Sequence, residues 1–124
     1  MLEKFLRQTE FASLEEFREK FEILVPENFN FAFDLVDEMA KKAPEKLAML
    51  HISDDGTERR FTFKDLKRAS NQAANYFKAL GISKGDRVLV VLKRHYQFWF
   101  AMLGLNKLGA IAIPAVCQLH THDF

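Results

Sequence analysis

Residues 88–92 read Val-Leu-Val-Val-Leu, and residues 110–113 read Ala-Ile-Ala-Ile. Both runs are apolar without alternation. A strand with one wet face alternates polar and apolar positions, so an uninterrupted run marks a strand expected to be covered on both faces. Between them, residues 95–108 carry Phe98, Ala101, Met102, Leu105 and Leu108 at three- and four-residue steps, the period of a helix with one apolar face. Strand, helix, strand with buried-type strands is a βαβ unit, and its strands pair in parallel. It sets the expected class: α/β, a partial, mostly parallel sheet flanked by helices.

The preceding text adds a hairpin and three helices. Residues 46–53 and 57–62 read as strands. Asp54, Asp55 and Gly56 between them form a turn, where glycine supplies a positive φ. The hairpin is expected at an edge of the sheet. Thr62 and Asp65 have capping-box spacing. Leu66, Ala69, Ala73, Phe77 and Leu80 line one face of the helix that follows, and Gly81 stops it. A turn at Gly85 and Asp86 leads into the first apolar strand. Upstream, Asn30 is an N-cap for a helix striped by Phe31, Leu35, Val36, Met39 and Ala40. Lys41 and Lys42 suit its C-terminal dipole, and Pro44 prevents continuation. The first 25 residues read as short amphipathic helices. Ser13 and Glu16 form a capping box, Leu14, Phe17, Phe21 and Leu24 form an apolar stripe, and Pro26 ends it.

Composition narrows the partners. Eighteen basic and seventeen acidic residues leave a formal charge of +1. Nucleic-acid binding through bulk charge needs a clustered basic excess, so none is expected. The single Cys117 cannot form an internal disulfide. No apolar run reaches the length of a membrane span: residues 108–117 come longest and are broken by Gly109 and Pro114. The N-terminus lacks a signal-peptide core, and Glu3, Glu10, Glu15 and Glu16 do not suit a transit peptide. A reducing, cytoplasmic setting is expected. The thirteen phenylalanines stand out. Phe5, Phe11, Phe29 and Phe124 fall outside any core pattern, which hints at a partner surface.

Self-sufficient chemistry is thin. Neither the Gly-x-x-x-x-Gly-Lys-Ser/Thr loop nor Gly-x-Gly-x-x-Gly occurs, and Gly81 to Gly85 reads as a helix stop and a turn rather than a phosphate cradle. His120 and His122, with Asp123 beside them, form the one compact set of metal-ligand types. Cys117 is the only thiol to join them, and a solvated tail is the simpler reading. Cys117 near His120 is no more than a sequence neighbour. His51 reads as a structural histidine. Lys93 and Arg94 follow the central strand at its carboxyl end, where α/β sheets bind ligands, yet exposed cations there are commonly solvated surface. Tyr96, Phe98, Trp99 and Phe100 point all round their helix, which suits burial on several sides better than a ligand box. No catalytic, cofactor-binding or metal residue is assigned.

A resemblance extends this reading. The segments Asn-Phe-Asn-Phe-Ala (28–32), Phe-Thr-Phe-Lys-Asp-Leu (61–66), Ala-Ala-Asn-Tyr-Phe-Lys-Ala-Leu-Gly (73–81) and Gly-Asp-Arg-Val-Leu-Val (85–90) resemble AMP-forming acyl-CoA synthetases of the adenylate-forming superfamily. Residues 98–114, ending Leu-Gly-Leu-Asn-Lys-Leu-Gly-Ala-Ile-Ala-Ile-Pro, resemble them most. Gln118-Leu119 and residues 121–124 are similar to the medium-chain and acetyl-type members. The resemblance covers about three quarters of the chain and the opening of a typical member. It implies residues 1–27 as a helical arm and 28–124 as the first part of the large N-terminal domain. It implies a parent reaction in which a carboxylic acid, MgATP and coenzyme A give a thioester, AMP and pyrophosphate. The family's phosphate loop, acid pocket, ribose-binding aspartate and catalytic lysine lie downstream of this text. The chain is therefore expected to be scaffold, inactive alone, with the remainder of the parent as partner and uncovered strands prone to self-association. The alternative is a free-standing α/β binding or interaction module.

Overall fold

The computed structural model describes residues 2–93, 95–120 and 122. A 3₁₀ turn at Leu2–Lys4 precedes helix α1, Leu14–Lys20. A π-helix, Phe31–Asp37, runs into α2, Glu38–Lys42. Strands β1 (Leu47–Ile52) and β2 (Glu58–Thr62) lead into α3 (Phe63–Ala79). Strand β3 (Arg87–Val90), helix α4 (Gln97–Leu108) and strand β4 (Ile111–Pro114) complete the order. The class is α/β, as the apolar runs imply.

β3 and β4 pair in parallel, Arg87 opposite Ile111 and Leu89 opposite Ile113. Their entrances are tied together twice. Gly85 donates its N–H to the Gly109 carbonyl at 3.0 Å, and Ile111 donates to the Asp86 carbonyl at 2.7 Å. Gly109 ends α4 in the left-handed region at φ 71°, which an L side chain rarely adopts. The Gly81 to Gly85 stretch is the expected helix stop and turn, with Ser83 and Asp86 bonded to each other across it.

Two expectations of the sheet change. The hairpin is not an edge of the parallel sheet: β1 and β2 form their own antiparallel pair. Nor are the apolar strands covered on both faces. Val90 is buried on the helix side, whereas Leu89, Ile111 and Ile113 are 47%, 46% and 41% exposed on the opposite side. Ladder pairing also stops at Val90, so Val91 and Leu92 continue without it and are half exposed. Continuous apolar sequence reports what a strand is suited to face, and here only one of its faces meets a helix.

The core lies between the π-helix, α3, α4 and the hairpin. Ala32, Val36, Leu66 and Leu103 are buried, with Leu35, Met49, Phe61, Phe63 and Phe100 packed against them. The π-helix shifts the expected stripe. Its wider i→i+5 turn brings Ala32, Val36 and Asp37 inward and leaves Phe31 exposed. Asn30 caps it as expected, accepting from the N–H groups of Ala32 and Phe33 and also donating to the Asn106 carbonyl. On α3 the buried line is Leu66, Ser70 and Ala74, while Leu80 is exposed. That rotation follows from how closely α4 approaches. A Cβ on Gly104 would sit 2.8 Å from the Ala73 Cβ and 2.9 Å from the Ala74 N. The Thr62–Asp65 capping box forms as its spacing implies.

Lys107 of α4 is the buried tie between these helices. Its Nζ donates to Asp37 Oδ1 at 2.8 Å and to Asn71 Oδ1 at 2.7 Å, and it lies 5.5 Å from the Phe33 ring centre. The Lys107 and Asp37 side chains are only 4% and 11% exposed.

The N-terminal segment closes on itself. α1 is shorter than its apolar stripe: it ends at Lys20, before Pro26, and Leu24 instead donates to the Phe5 carbonyl at 2.7 Å beside a Leu6–Ile23 bridge. The orphan phenylalanines find one another. Phe5 meets Phe29 edge-on at 5.5 Å, and Phe11 meets Phe17 at 5.2 Å. Phe124, Arg94, Thr121 and Asp123 lie outside the described residues.

Candidate functional site

A cleft of about 730 Å³ opens at the carboxyl ends of β3 and β4. Two chain segments shape it because parallel strands deliver their following loops to the same edge, the usual ligand edge of open α/β sheets. Leu92, Lys93 and His95 follow β3, and Ala115, Val116, Cys117 and Gln118 follow β4. His51, Ser53 and Asp54 from the hairpin close the far wall. A smaller recess of about 310 Å³ shares His51, Lys93, His95 and Phe98 with it and adds Tyr96 and Trp99.

The wall between hairpin and α4 is aromatic. Tyr96 meets His51 edge-on at 5.3 Å, Phe61 at 4.9 Å and Phe100 at 5.6 Å. The Arg59 guanidinium lies 5.6 Å from the Tyr96 ring centre, which suits cation–π attraction. Tyr96 and Phe100 are thus anchors of the hairpin, one turn apart on one face of α4. Phe98 lines both hollows, and Trp99 is 54% exposed, so the helix is not buried on several sides as its aromatics suggest. His51 packs as a structural residue and also lines the cleft. Sequence reasoning placed Lys93 at this edge and Cys117 beyond β4, but not the hairpin residues Ser53 and Asp54. No local signal in their text points across the fold.

The carboxylates displaced from their ordinary range sit at caps and turns. Ala12 N–H, Lys20 and Gln8 lower Glu16 to about 2. The Thr62 N–H and hydroxyl hold Asp65 low, Ser83 does the same for Asp86, Thr57 for Asp55, and Lys41 for Glu38. None of these groups lines the cleft. Among the described residues no three His, Cys, Asp or Glu side chains gather as a metal site. The His120 and His122 rings stack at 5.7 Å, nearly parallel. No described helix is long and apolar enough to cross a membrane.

The described residues thus form an α/β unit with a cleft at the strand ends, the edge at which open α/β sheets bind ligands. Comparison with known proteins gives the family. A model described as AMP-binding enzyme matches residues 36–123. The chain belongs to that family. It is 34% identical over 119 residues to human acyl-coenzyme A synthetase ACSM3, mitochondrial, covering 91% of this chain and 20% of that protein. It is 38% identical over 105 residues to human acyl-coenzyme A synthetase ACSM2A, mitochondrial, covering 80% and 18%. Among solved structures, the fatty acid AMP ligase from Legionella pneumophila superposes with a TM-score of 0.65 at 27% identity, covering 68% of this chain and 15% of that one. The chain spans about a fifth of the length of the curated relatives it matches.

Proposed function

We propose that this chain supplies the opening part of an AMP-forming acid–CoA ligase, the parent enzyme turning a carboxylate, ATP and coenzyme A into acyl-CoA, AMP and pyrophosphate. The observation that carries the reading is the family match over residues 36–123, which includes the βαβ unit and both loops of the cleft. Residues 1–27 act as an arm and 28–124 as the first part of the large domain. The chain's own role is scaffold: it sets the two parallel strands and the aromatic wall, and it contributes no catalytic residue. ATP and Mg²⁺ are held elsewhere in the parent, since the glycines here terminate helices and turn the chain rather than present a row of N–H groups to phosphate. In the parent, the carboxylate displaces pyrophosphate from ATP to give an acyl-adenylate, and the coenzyme A thiol then displaces AMP to give the thioester; magnesium, when bound, would offset phosphate charge. The remainder of the parent covers the open side of β3 and β4; without that cover the strands are available for self-association. The single cysteine suits a reducing compartment, of which the cytoplasm is our reading; the relatives above carry the word mitochondrial in their printed names.

Two measurements test this. The purified chain, given ATP, Mg²⁺, coenzyme A and a medium-chain acid, is expected to release no pyrophosphate above blank; robust release overturns the scaffold role. Replacing the matching segment of human ACSM3 by residues 28–124 is expected to give a chimera that forms AMP from ATP and acid. A chimera that melts cooperatively but forms no AMP overturns the ligase reading.

A further inference from the structure

Ala32 and Asp37 are both buried on the segment Phe31–Asp37, five positions apart. In an α-helix such positions point about 140° apart, so one of them would face away from the core. The π-helix brings both inward because its turn spans i→i+5. The same residues carry a second register. Phe31, Leu35 and Met39 recur every four positions, with Val36 and Ala40 beside them, which is an α-helical stripe. In that register Phe31 turns inward and Asp37 turns out. We propose that residues 31–37 are a two-register element, latched in the π register by the buried Asp37–Lys107 pair, and that loss of the pair lets them wind as an α-helix.

The flanks of the segment are already α-helical in kind. At its start the Asp34 N–H bonds the Asn30 carbonyl at 2.7 Å, a four-residue turn, and beyond it α2 runs as an α-helix. What sets the middle apart is Asp37. Its Oδ1 accepts from Lys107 Nζ at 2.8 Å, and the same Nζ reaches Asn71 of α3 and lies 5.5 Å from the Phe33 ring centre. Both members of the pair are nearly sealed from water. A buried pair is costly to break from one side, because the partner stays charged in a dry place. That cost holds open a turn that is otherwise rare. The start of the segment is pinned separately: Asn30 donates to the Asn106 carbonyl at 2.7 Å while capping Ala32 and Phe33. A change of register is therefore taken up beyond the cap, by Asp37 and α2. Lys107 belongs to α4, whose opposite end borders the cleft, so the latch couples residues 31–37 to the seat of that helix. The inference rests on packing inside the chain and not on the ligase reading.

Scalar couplings across hydrogen bonds in the isotope-labelled full chain read the register, since each pairs an amide with the carbonyl it meets. In the parent chain the Val36 and Asp37 amides are expected to couple to the carbonyls five back, Phe31 and Ala32. In Lys107→Met they are expected to couple to those four back, Ala32 and Phe33, alone or beside the first set, as Asp37 turns to water. Lys41→Met breaks the exposed Glu38–Lys41 pair of the same stretch and is expected to keep the five-residue set. Should Lys107→Met not fold, Asp37→Ser with Lys107→Met removes the buried charge as well as its cation, and four-residue couplings are expected from it. Five-residue couplings alone in the folded variant that lacks the pair overturn the proposal. So does a change of register in Lys41→Met, or a parent chain that shows the four-residue set at Val36 and Asp37. None of these outcomes bears on the chimera, so the two readings fail separately.

Discussion

Replacing Lys107 by methionine keeps most of the side-chain stem and removes one charge. In the folded chain that charge lies 2.8 Å from Asp37 Oδ1, and both side chains are nearly sealed from water. Asn71, the other acceptor, is exposed and can turn to solvent. The penalty therefore falls on Asp37, left as a buried carboxylate without its cation. Breaking a buried pair in this way costs about 3–5 kcal/mol. With a urea slope of about 1–3 kcal/mol per molar for a small protein, the midpoint falls by about 2 M. The double variant Asp37→Leu, Lys107→Met removes both charges and fills the space with hydrocarbon. It is expected to return to within about 1 kcal/mol of the parent chain, because a well-packed apolar pair replaces a buried ion pair at little cost. Urea unfolding of all three proteins, followed by circular dichroism with the slope checked for constancy, decides the matter. A Lys107→Met midpoint within about 0.3 M of the parent, or a double variant no better than the single one, refutes the reasoning.

Gly104→Ala is expected to lose about 1–2 kcal/mol in thermal unfolding, since overpacking against the Ala73–Ala74 backbone outweighs the roughly 1 kcal/mol that alanine gains in a helix; a gain in Tm would show that the helices separate freely. Tyr96→Ala is expected to cost about 3 kcal/mol and to loosen the hairpin, seen as faster amide exchange in β1 and β2; unchanged exchange there would disconnect the aromatic wall from the hairpin. Asp65 and Asp86 are held below their ordinary range, so the unfolded chain binds more protons in that window. Their contribution is complete above about pH 4 and is lost as pH falls through the lowered values. Asp65→Asn is expected to flatten the acid limb of stability against pH, and an unaltered limb would assign acid unfolding to other groups.

The βαβ unit, the hairpin turn and the Thr62 cap were legible because each depends on residues close in sequence. Gly56, Gly81 and Gly109 sit where local backbone geometry needs them. What was not legible is set across the fold. The close approach of Gly104 to Ala73 and Ala74 adds Ala74 to the buried line of α3 beside the expected stripe, and nothing in the sequence of α3 alone selects Ser70 or Ala74. Asp37 and Lys107 are seventy residues apart, and neither is unusual until the π-helix turns Asp37 inward. The apolar strands announced a cover for two faces, and the fold supplies one. Of the cleft, the position of Lys93 followed from its strand end, whereas Cys117 was noted only as the lone thiol and the hairpin wall required knowing that Tyr96 and Phe61 meet.

The bonds that link Gly85 to Gly109 and Asp86 to Ile111 pin the two parallel strands at their entrance, and the Ala115 N–H on the Val90 carbonyl at 3.0 Å pins them again at their exit. Register is thus held at both ends of the ladder. An insertion directly after Pro114 breaks the exit bond, whereas new side chains after Val90 leave every ladder bond in place. Of the two loops at the cleft, the one that follows β3 is therefore the freer to change during evolution.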